Sequence, residues 1–430
     1  MSISEILDGK LTGKEVEIKG WLVNKRSSGG VQFLIIRDGT GLIQATVHKN
    51  EVAPEIFEEA KKLTQESSLT IKGTVVEDKR APGGYEVRIS ELKIVHLALG
   101  DYPLAKKEHG IDFLLNHRQL WIRSPRQMAI LRIRAEIIKA CRDFLDDRGF
   151  ILTDAPIFTP SAVEGTTTLF EVPYFGDKAY LTQSGQLYVE ATIATFGKTY
   201  CFGPTFRAEK SKTPRHLTEF WMVEPEMAFC GFEENLKLQE EMVTYIVKTV
   251  LDKRRRELEI LKRDIKPLQK VELPFERISY TEAVEMLQKA GFQIEWGEDL
   301  GAPHERYISL QFEKPVFVHR YPAKAKAFYM QPDPEDPRVV LCADLMAPEG
   351  YGEIIGGSQR IHDLELIEQR IEEFGLPKEA YEWYLDLRRY GSVPHSGFGL
   401  GIERTVMWIC KLKHIREAIP FPRTITRVYP

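Results

Sequence analysis

At 430 residues the chain is long enough for two or three domains, each with a core of its own. Its 43% hydrophobic and 28% charged residues describe a soluble globular protein. No run approaches the 18 apolar residues that a membrane-spanning helix needs. A net charge of −4 does not point to nucleic acid, but net charge is a poor test when basic groups are local. Two such runs exist, 210–216 and 253–263; the second reads more simply as a solvated helix face. The five cysteines, Cys141, Cys201, Cys230, Cys342 and Cys410, lie too far apart for a metal pair or a disulfide framework. That usage fits a reducing cytoplasm, and the start MSISEILDGKLTGKE has neither an apolar signal core nor an Arg-rich pattern.

In chain order, residues 16–23 alternate apolar and polar, as a strand with one buried face does. Strands are expected again over 31–37 and 42–48, separated by the turn signal Asp38-Gly39-Thr40-Gly41. A helix follows over 54–63, with Pro54 near its start, and then strands over 69–76 and 85–95. Three strands, a helix and two strands is the order of an OB-fold barrel, a frequent nucleic-acid binder. Residues 1–99 are therefore expected to form one domain, 100–116 a linker, and 117–430 one large α/β unit. Within that unit, residues 126–148 form an amphipathic helix, with Ile130, Ile133, Ile137, Cys141 and Phe144 at three- and four-residue spacing and Gly149 as its stop. Residues 151–160 run extended, a long helix covers 233–262, and strands dominate 315–345.

Several clusters could carry chemistry. In the stretch 205–227, TFRAEKSKTPRHLTEFWMVEPEM, period-2 spacing makes Arg207 and Glu209 share a face, and likewise Glu224 and Glu226. A hairpin that gathers a guanidinium, acids and the Phe220 ring suits a nucleotide; a surface salt-bridge hairpin explains it equally well. Alternating glycines at Gly397, Gly399 and Gly401, before Ile402-Glu403-Arg404, leave a bare backbone against which something can pack closely. The dinucleotide pattern is absent there, because Ile402 stands where its third glycine would be. Glu164 lies in an extended loop, Gln183-Ser184-Gly185-Gln186 reads as a bend with two amides, and 344–360 holds Asp344, Glu353 and Arg360. Taken singly, each of these is more simply structural than functional.

Together, and in this order, they resemble the class II aminoacyl-tRNA synthetases of the aspartyl/asparaginyl/lysyl subclass, over essentially the whole chain. Residues 126–160, with Pro156 at the signature proline, match the family's first motif; 203–228 match the second and 397–411 the third. The resemblance implies an α+β protein: an N-terminal OB-fold barrel binding the anticodon, then a catalytic domain built on an antiparallel β-sheet flanked by helices. It implies ATP as co-substrate with Mg²⁺, a tRNA partner, and a homodimer formed through the first motif around Pro156. Arg207 and Arg404 would be the catalytic cations, on the α- and γ-phosphates. Glu209 would read adenine, Phe220 would stack on it, and Arg215 and His216 would reach the distal phosphates. Asp344 and Glu353 would hold the metal. Glu164, Gln186, Glu224 and Arg360 would bind the amino acid, and Arg26, Phe33 and Gln44 the anticodon.

The choice of amino acid turns on a few positions. Relatives acting on aspartate typically carry a proline at the place of Gly185, a lysine at that of Val189 and an aspartate at that of Glu224. Losing a cation and lengthening an acceptor favours an amide over a carboxylate. Gly356, where archaeal-type aspartate enzymes usually carry serine, points the same way. The expected substrates are thus L-asparagine and tRNA(Asn), with aspartate the alternative. An amide-forming enzyme acting without tRNA would lack the barrel of residues 1–99, and a non-catalytic RNA-binding paralogue could dispense with Arg207 and Arg404.

Overall fold

The computed structural model describes every residue except 105–106, 161 and 164–167. The chain divides into two compact units, Met1–His109 and Gly110–Pro430. The stretch 100–116, expected as a linker, ends in the helix Ile111–Asn116 of the second unit.

In the first unit, strands β1 (Glu15–Ser28), β2 (Val31–Arg37), β3 (Leu42–His48), β4 (Ser68–Glu77) and β5 (Tyr85–His96) close into a barrel in the order β1-β2-β3-β5-β4. The β3–β5 contact is parallel and the others are antiparallel. Closure follows from the alternation: Val16, Ile18, Leu22, Leu34, Ile36, Ile43 and Val47 all turn into one sealed core. Helix Pro54–Lys62 adds Phe57 and Ala60 to that core. An N-terminal helix, Ile3–Leu7, adds Ile3 and Ile6; it is fixed by a capping box in which Ser2 and Glu5 exchange hydrogen bonds.

The second unit is built on eight strands: β6 (Ile151–Leu152), β10 (Lys198–Phe206), β11 (Glu219–Ala228), β12 (Glu276–Ser279), β13 (Val316–His319), β14 (Cys342–Ala347), β15 (Gly352–Arg360) and β16 (His395–Gly401). Their order is β12-β13-β14-β15-β16-β11-β10-β6. The six central strands are antiparallel, as expected, but both edges join in parallel, β12 on β13 and β6 on β10, so the sheet is mixed. A small sheet, β7 (Phe158–Thr159), β9 (Asp177–Leu181) and β8 (Glu171–Tyr174), stands apart from it.

One face of the large sheet carries Phe398, Leu400, Val223 and Ile355 into a core shared with helices Pro125–Asp146, Phe232–Lys253 and Ile402–Ile409. The first of these helices starts on Ser124, which accepts from the Gln127 N–H, with Pro125 in its first turn. The long helix expected over 233–262 is interrupted: Arg254 leaves helical geometry, and a separate helix, Arg255–Ile260, follows.

The other face is nearly bare. Register pairs Gly356 with Gly399 and Ser358 with Gly397 across β15–β16, and Glu226 with Gly397 and Met222 with Gly401 across β16–β11. A Cβ at Gly397 would lie 2.1 Å from a Glu226 carboxylate oxygen and 2.4 Å from the Pro225 carbonyl; one at Gly399 would lie 2.2 Å from the Met222 methyl carbon. By contrast, a Cβ at Gly203 on β10 would meet nothing within 4 Å. Gly397→Ala is therefore expected to destabilise the protein by about 1–3 kcal/mol or more, and Gly203→Ala to stay within about 0.5 kcal/mol of the parent. Urea unfolding of the two variants side by side checks the contrast.

Candidate functional site

The bare face is the floor of a cavity of about 490 Å³, a size that suits a small-molecule ligand. Arg207, Glu209, Phe220, Glu224, Arg360 and Arg404 all line it. So do Arg215, His216, Gln186, Asp344 and Glu353. The cavity thus gathers residues scattered over more than 200 positions of sequence. Glu164 lies outside the described residues.

The hairpin differs from the sequence expectation in one respect. β10 ends at Phe206, so Arg207 and Glu209 belong to the loop beyond it, not to one strand face. Arg207 is still held in hairpin register, since its N–H donates to the Thr218 carbonyl at 3.0 Å. Its guanidinium carbon sits 5.7 Å from the centre of the Phe220 ring. Arg404, at the start of helix Ile402–Ile409, donates to Glu353 at 2.7 Å. Arg215 donates to the Glu353 carbonyl at 3.2 Å and pairs with Glu305 at 2.8 Å. Gly352, at φ +66°, leaves room for that pair, because a Cβ there would fall 2.5 Å from both partners. His216 contacts Thr213. Burial, together with the Arg404 and Arg215 charges, pushes the His216 imidazole down to about 4, so it is neutral at pH 7.

Glu353 owes its place to a bulge. Simple alternation along β15 would turn it away from Gly356, Ser358 and Arg360. Leu345 pairs with Ile355 but Met346 pairs with Glu353, so β15 holds one extra residue. The bulge turns Glu353 to the cavity beside Asp344: a Cβ at Gly356 would lie 3.2 Å from a Glu353 oxygen and 3.5 Å from an Asp344 oxygen. Lys326 donates to the other oxygen of Asp344 at 2.7 Å. Burial raises the Asp344 carboxyl against the pull of Lys326, whereas at Glu353 the Arg404 and Lys326 charges outweigh burial and lower it.

The amino-acid end is a buried polar network. Both nitrogens on one edge of Arg360 bind Glu226, at 3.2 and 2.5 Å, and the third reaches Ser358 at 2.7 Å. The side-chain amide of Gln186 donates to Glu190 at 3.1 Å. Glu190 has no solvent exposure of its side chain and also accepts from Arg388 and Tyr384, both at 2.9 Å, with His395 at 2.8 Å. Glu224 accepts from the Ser184 hydroxyl and from the Gly185 N–H.

In the barrel, Arg26 and Phe33 are cross-strand partners, and the guanidinium lies over the half-buried ring at 4.2 Å. Gln44 is buried and donates to Glu86 at 3.0 Å. Pro156 is exposed, between β6 and β7.

Residues 110–425 match the family described as tRNA synthetases class II (D, K and N), and residues 16–95 match the OB-fold nucleic acid binding domain. The chain belongs to the class II tRNA synthetases. Among its relatives, the asparagine--tRNA ligase of Desulforamulus reducens is 66% identical over 98% of both chains. That of Thermus thermophilus is 60% identical over 97% of both. The crystal structure of asparaginyl-tRNA synthetase from Pyrococcus horikoshii complexed with asparaginyl-adenylate superposes with a TM-score of 0.94 at 49% identity, covering 98% of this chain and 97% of that one.

Three residues of this synthetase site, and one of the barrel, escaped the sequence reading. Lys326 sits in the short run Ala323-Lys324-Ala325-Lys326-Ala327, which alternates like a strand but forms neither strand nor helix, and Glu305 lies in the segment 267–306, to which no role was assigned. Glu190 follows Val189 on helix Gln186–Phe196 and looks like any helical acid. Glu86 stands with Arg88 on the face of β5 opposite the core residues Val87 and Ile89, so strand periodicity alone makes it an ordinary outward-facing acid.

Proposed function

We propose that this protein joins L-asparagine to tRNA(Asn) at the expense of ATP, through an asparaginyl-adenylate. The observation that carries the reading is the Glu224 carboxylate, fixed on the cavity floor, with β16 between its strand and that of an Arg360 already paired with Glu226. A substrate side chain there meets an acceptor, and the guanidinium of Arg360 is already paired with an acid, which suits an NH₂ group and disfavours a carboxylate. The names of the relatives agree with this.

In the first step the asparagine carboxylate attacks the α-phosphorus and pyrophosphate leaves. The nucleophile is already anionic, so no general base is required, and the protein's work is positioning and charge neutralisation. Arg207 neutralises the α-phosphate. Arg404 covers the γ-phosphate and closes the adenine ring against Phe220, while Glu209 accepts from the adenine amino group. Arg215, steadied by Glu305, and His216 meet the distal phosphates. In the second step a hydroxyl of the terminal adenosine attacks the adenylate carbonyl and AMP leaves.

Mg²⁺ fits this site. Asp344 and Glu353 supply two hard oxygen donors that converge on the hollow left by Gly356, a hollow that any side chain would fill. Among the described residues no larger cluster of ligands stands there, so phosphate oxygens and water would complete the shell. When bound, the ion would offset phosphate charge.

In the barrel, the Arg26–Phe33 stack forms a platform for an anticodon base. Gln44 and Glu86 together offer acceptors to the N1–H and amino group of a guanine. The homodimer rests on β6, the outermost strand of the large sheet, where Ile151 and Leu152 are both exposed, and on Phe158, 48% exposed on the small sheet. Unpaired edges with apolar side chains are surfaces that a second copy covers. Buried, unbridged cysteines fit a cytoplasmic setting.

Three outcomes are expected. ATP–pyrophosphate exchange will depend on asparagine, and Glu224→Gln will reduce the preference over aspartate by about tenfold or more, the scale of a hydrogen bond to a charged acceptor; preferential exchange with aspartate by the parent protein would sink the assignment. Phe33→Ala will raise the KM for tRNA by about 10- to 100-fold and leave the exchange reaction untouched, as loss of one stacking platform does; an unaltered aminoacylation KM would remove Phe33 from the anticodon site. Sedimentation will give a species of twice the 49.4 kDa chain mass, and Leu152→Lys with Phe158→Glu will shift it to the monomer; a monomeric parent would refute the dimer.

A further inference from the structure

We infer that the Ser184–Gly185 bend is part of the specificity device, acting through Glu224: the bend's two donors fix the carboxylate that the substrate amide meets. The inference rests on asparagine being the substrate. Glu224 is 3% exposed and reaches the cavity from the middle of β11, a strand that could present its long side chain in several rotamers. One oxygen accepts from the Ser184 hydroxyl. The other accepts from the Gly185 N–H at 2.9 Å, with the Cys201 thiol at 3.4 Å. Donors on both oxygens lock the plane of the carboxylate.

The glycine is not there for its backbone angles. Gly185 has φ −84° and ψ −4°, ordinary right-handed geometry that any residue adopts. What excludes a side chain is contact. A Cβ would lie 2.6 Å from the Cys201 sulfur, 2.8 Å from Cβ of Ala155 and 3.4 Å from the very Glu224 oxygen that the N–H holds. The bare backbone lets the amide come close enough to bind the acid. Ser184 is tied in turn, since its own N–H donates to Thr182 Oγ1 at 3.2 Å and its oxygen accepts the Gln186 N–H at 3.1 Å. The bend thus couples Glu224 to Gln186, the first residue of the helix that lines the amino-acid end of the cavity.

A positioning role of this kind appears in the ratio of kcat/KM for asparagine to that for aspartate, not in activity alone. The parent ratio is measured first by ATP–pyrophosphate exchange; a preference for aspartate would refute the substrate assignment itself. With asparagine preferred, Ser184→Ala, which removes a donor without adding volume, is expected to cut the ratio by about 10- to 100-fold. Gly185→Pro deletes the N–H and is expected to do at least as much. In a Glu224→Gln background neither change should lower the ratio further, because the group they position is already altered. An undiminished ratio in folded Ser184→Ala overturns the inference, whether or not Gly185→Pro folds. So does a full additional loss in the Glu224→Gln background, which would place the bend's effect elsewhere.

Discussion

The catalytic unit depends on how closely β15, β16 and β11 can carry charge on a face that has almost no side chains. Gly356, Gly397, Gly399 and Gly401 take the positions where an antiparallel sheet would otherwise raise a wall of Cβ atoms. Into the space left come Glu226 over Gly397, Met222 over Gly399, and Asp344 with Glu353 at the edge of Gly356. A site that must hold a triphosphate, an amino acid and the end of a tRNA needs breadth and fixed charge at once. Backbone that is both flat and hydrogen-bonded supplies the breadth, and the strands on either side supply the charge.

That charge is costly to bury unless it is paired. The pairing is nearly complete at the amino-acid end, where Arg360 meets Glu226 and Arg388 meets Glu190. The helix behind the sheet uses the same device: Arg134, from helix Pro125–Asp146, pairs at 2.8 Å with Glu403, which also accepts the Trp221 N–H at 3.0 Å. One buried carboxylate therefore joins the first, second and third sequence motifs. The three stretches recognised separately along the chain are a single hydrogen-bonded object, which explains why none of them is convincing alone.

Much of this was legible in the sequence because it rests on period. Alternation gave the five barrel strands, three- and four-residue spacing gave helix Pro125–Asp146, and alternating glycines gave the close-packing floor. What period cannot convey is where it breaks. The bulge in β15 puts Glu353 beside Asp344, contrary to the face that counting by twos assigns. β10 stops before Arg207, so the shared face expected for Arg207 and Glu209 is a loop. The parallel edge strands, two and four residues long, are too short to announce their partners. Helix Ile3–Leu7 is short too, and only its Ser2–Glu5 capping box marks it. Lys326 and Glu305 reach the site from irregular or peripheral segments, where position follows from tertiary packing.

The selectivity argument gains most from the three-dimensional view. In the sequence, Gly185, Val189 and Glu224 were independent departures from an aspartate-binding pattern. In the fold, Val189 is buried at 1% exposure and offers no charge to the cavity, while Gly185 and Glu224 touch. Arg360, the guanidinium at the amino-acid end of the cavity, has both atoms of one edge committed to Glu226. A carboxylate side chain entering here would be desolvated beside Glu224 with no free guanidinium edge to offset it. An amide loses far less on entering and gains an acceptor already oriented. Discrimination between two nearly isosteric amino acids thus comes from how the anions of the pocket are held in place as much as from which residues are present.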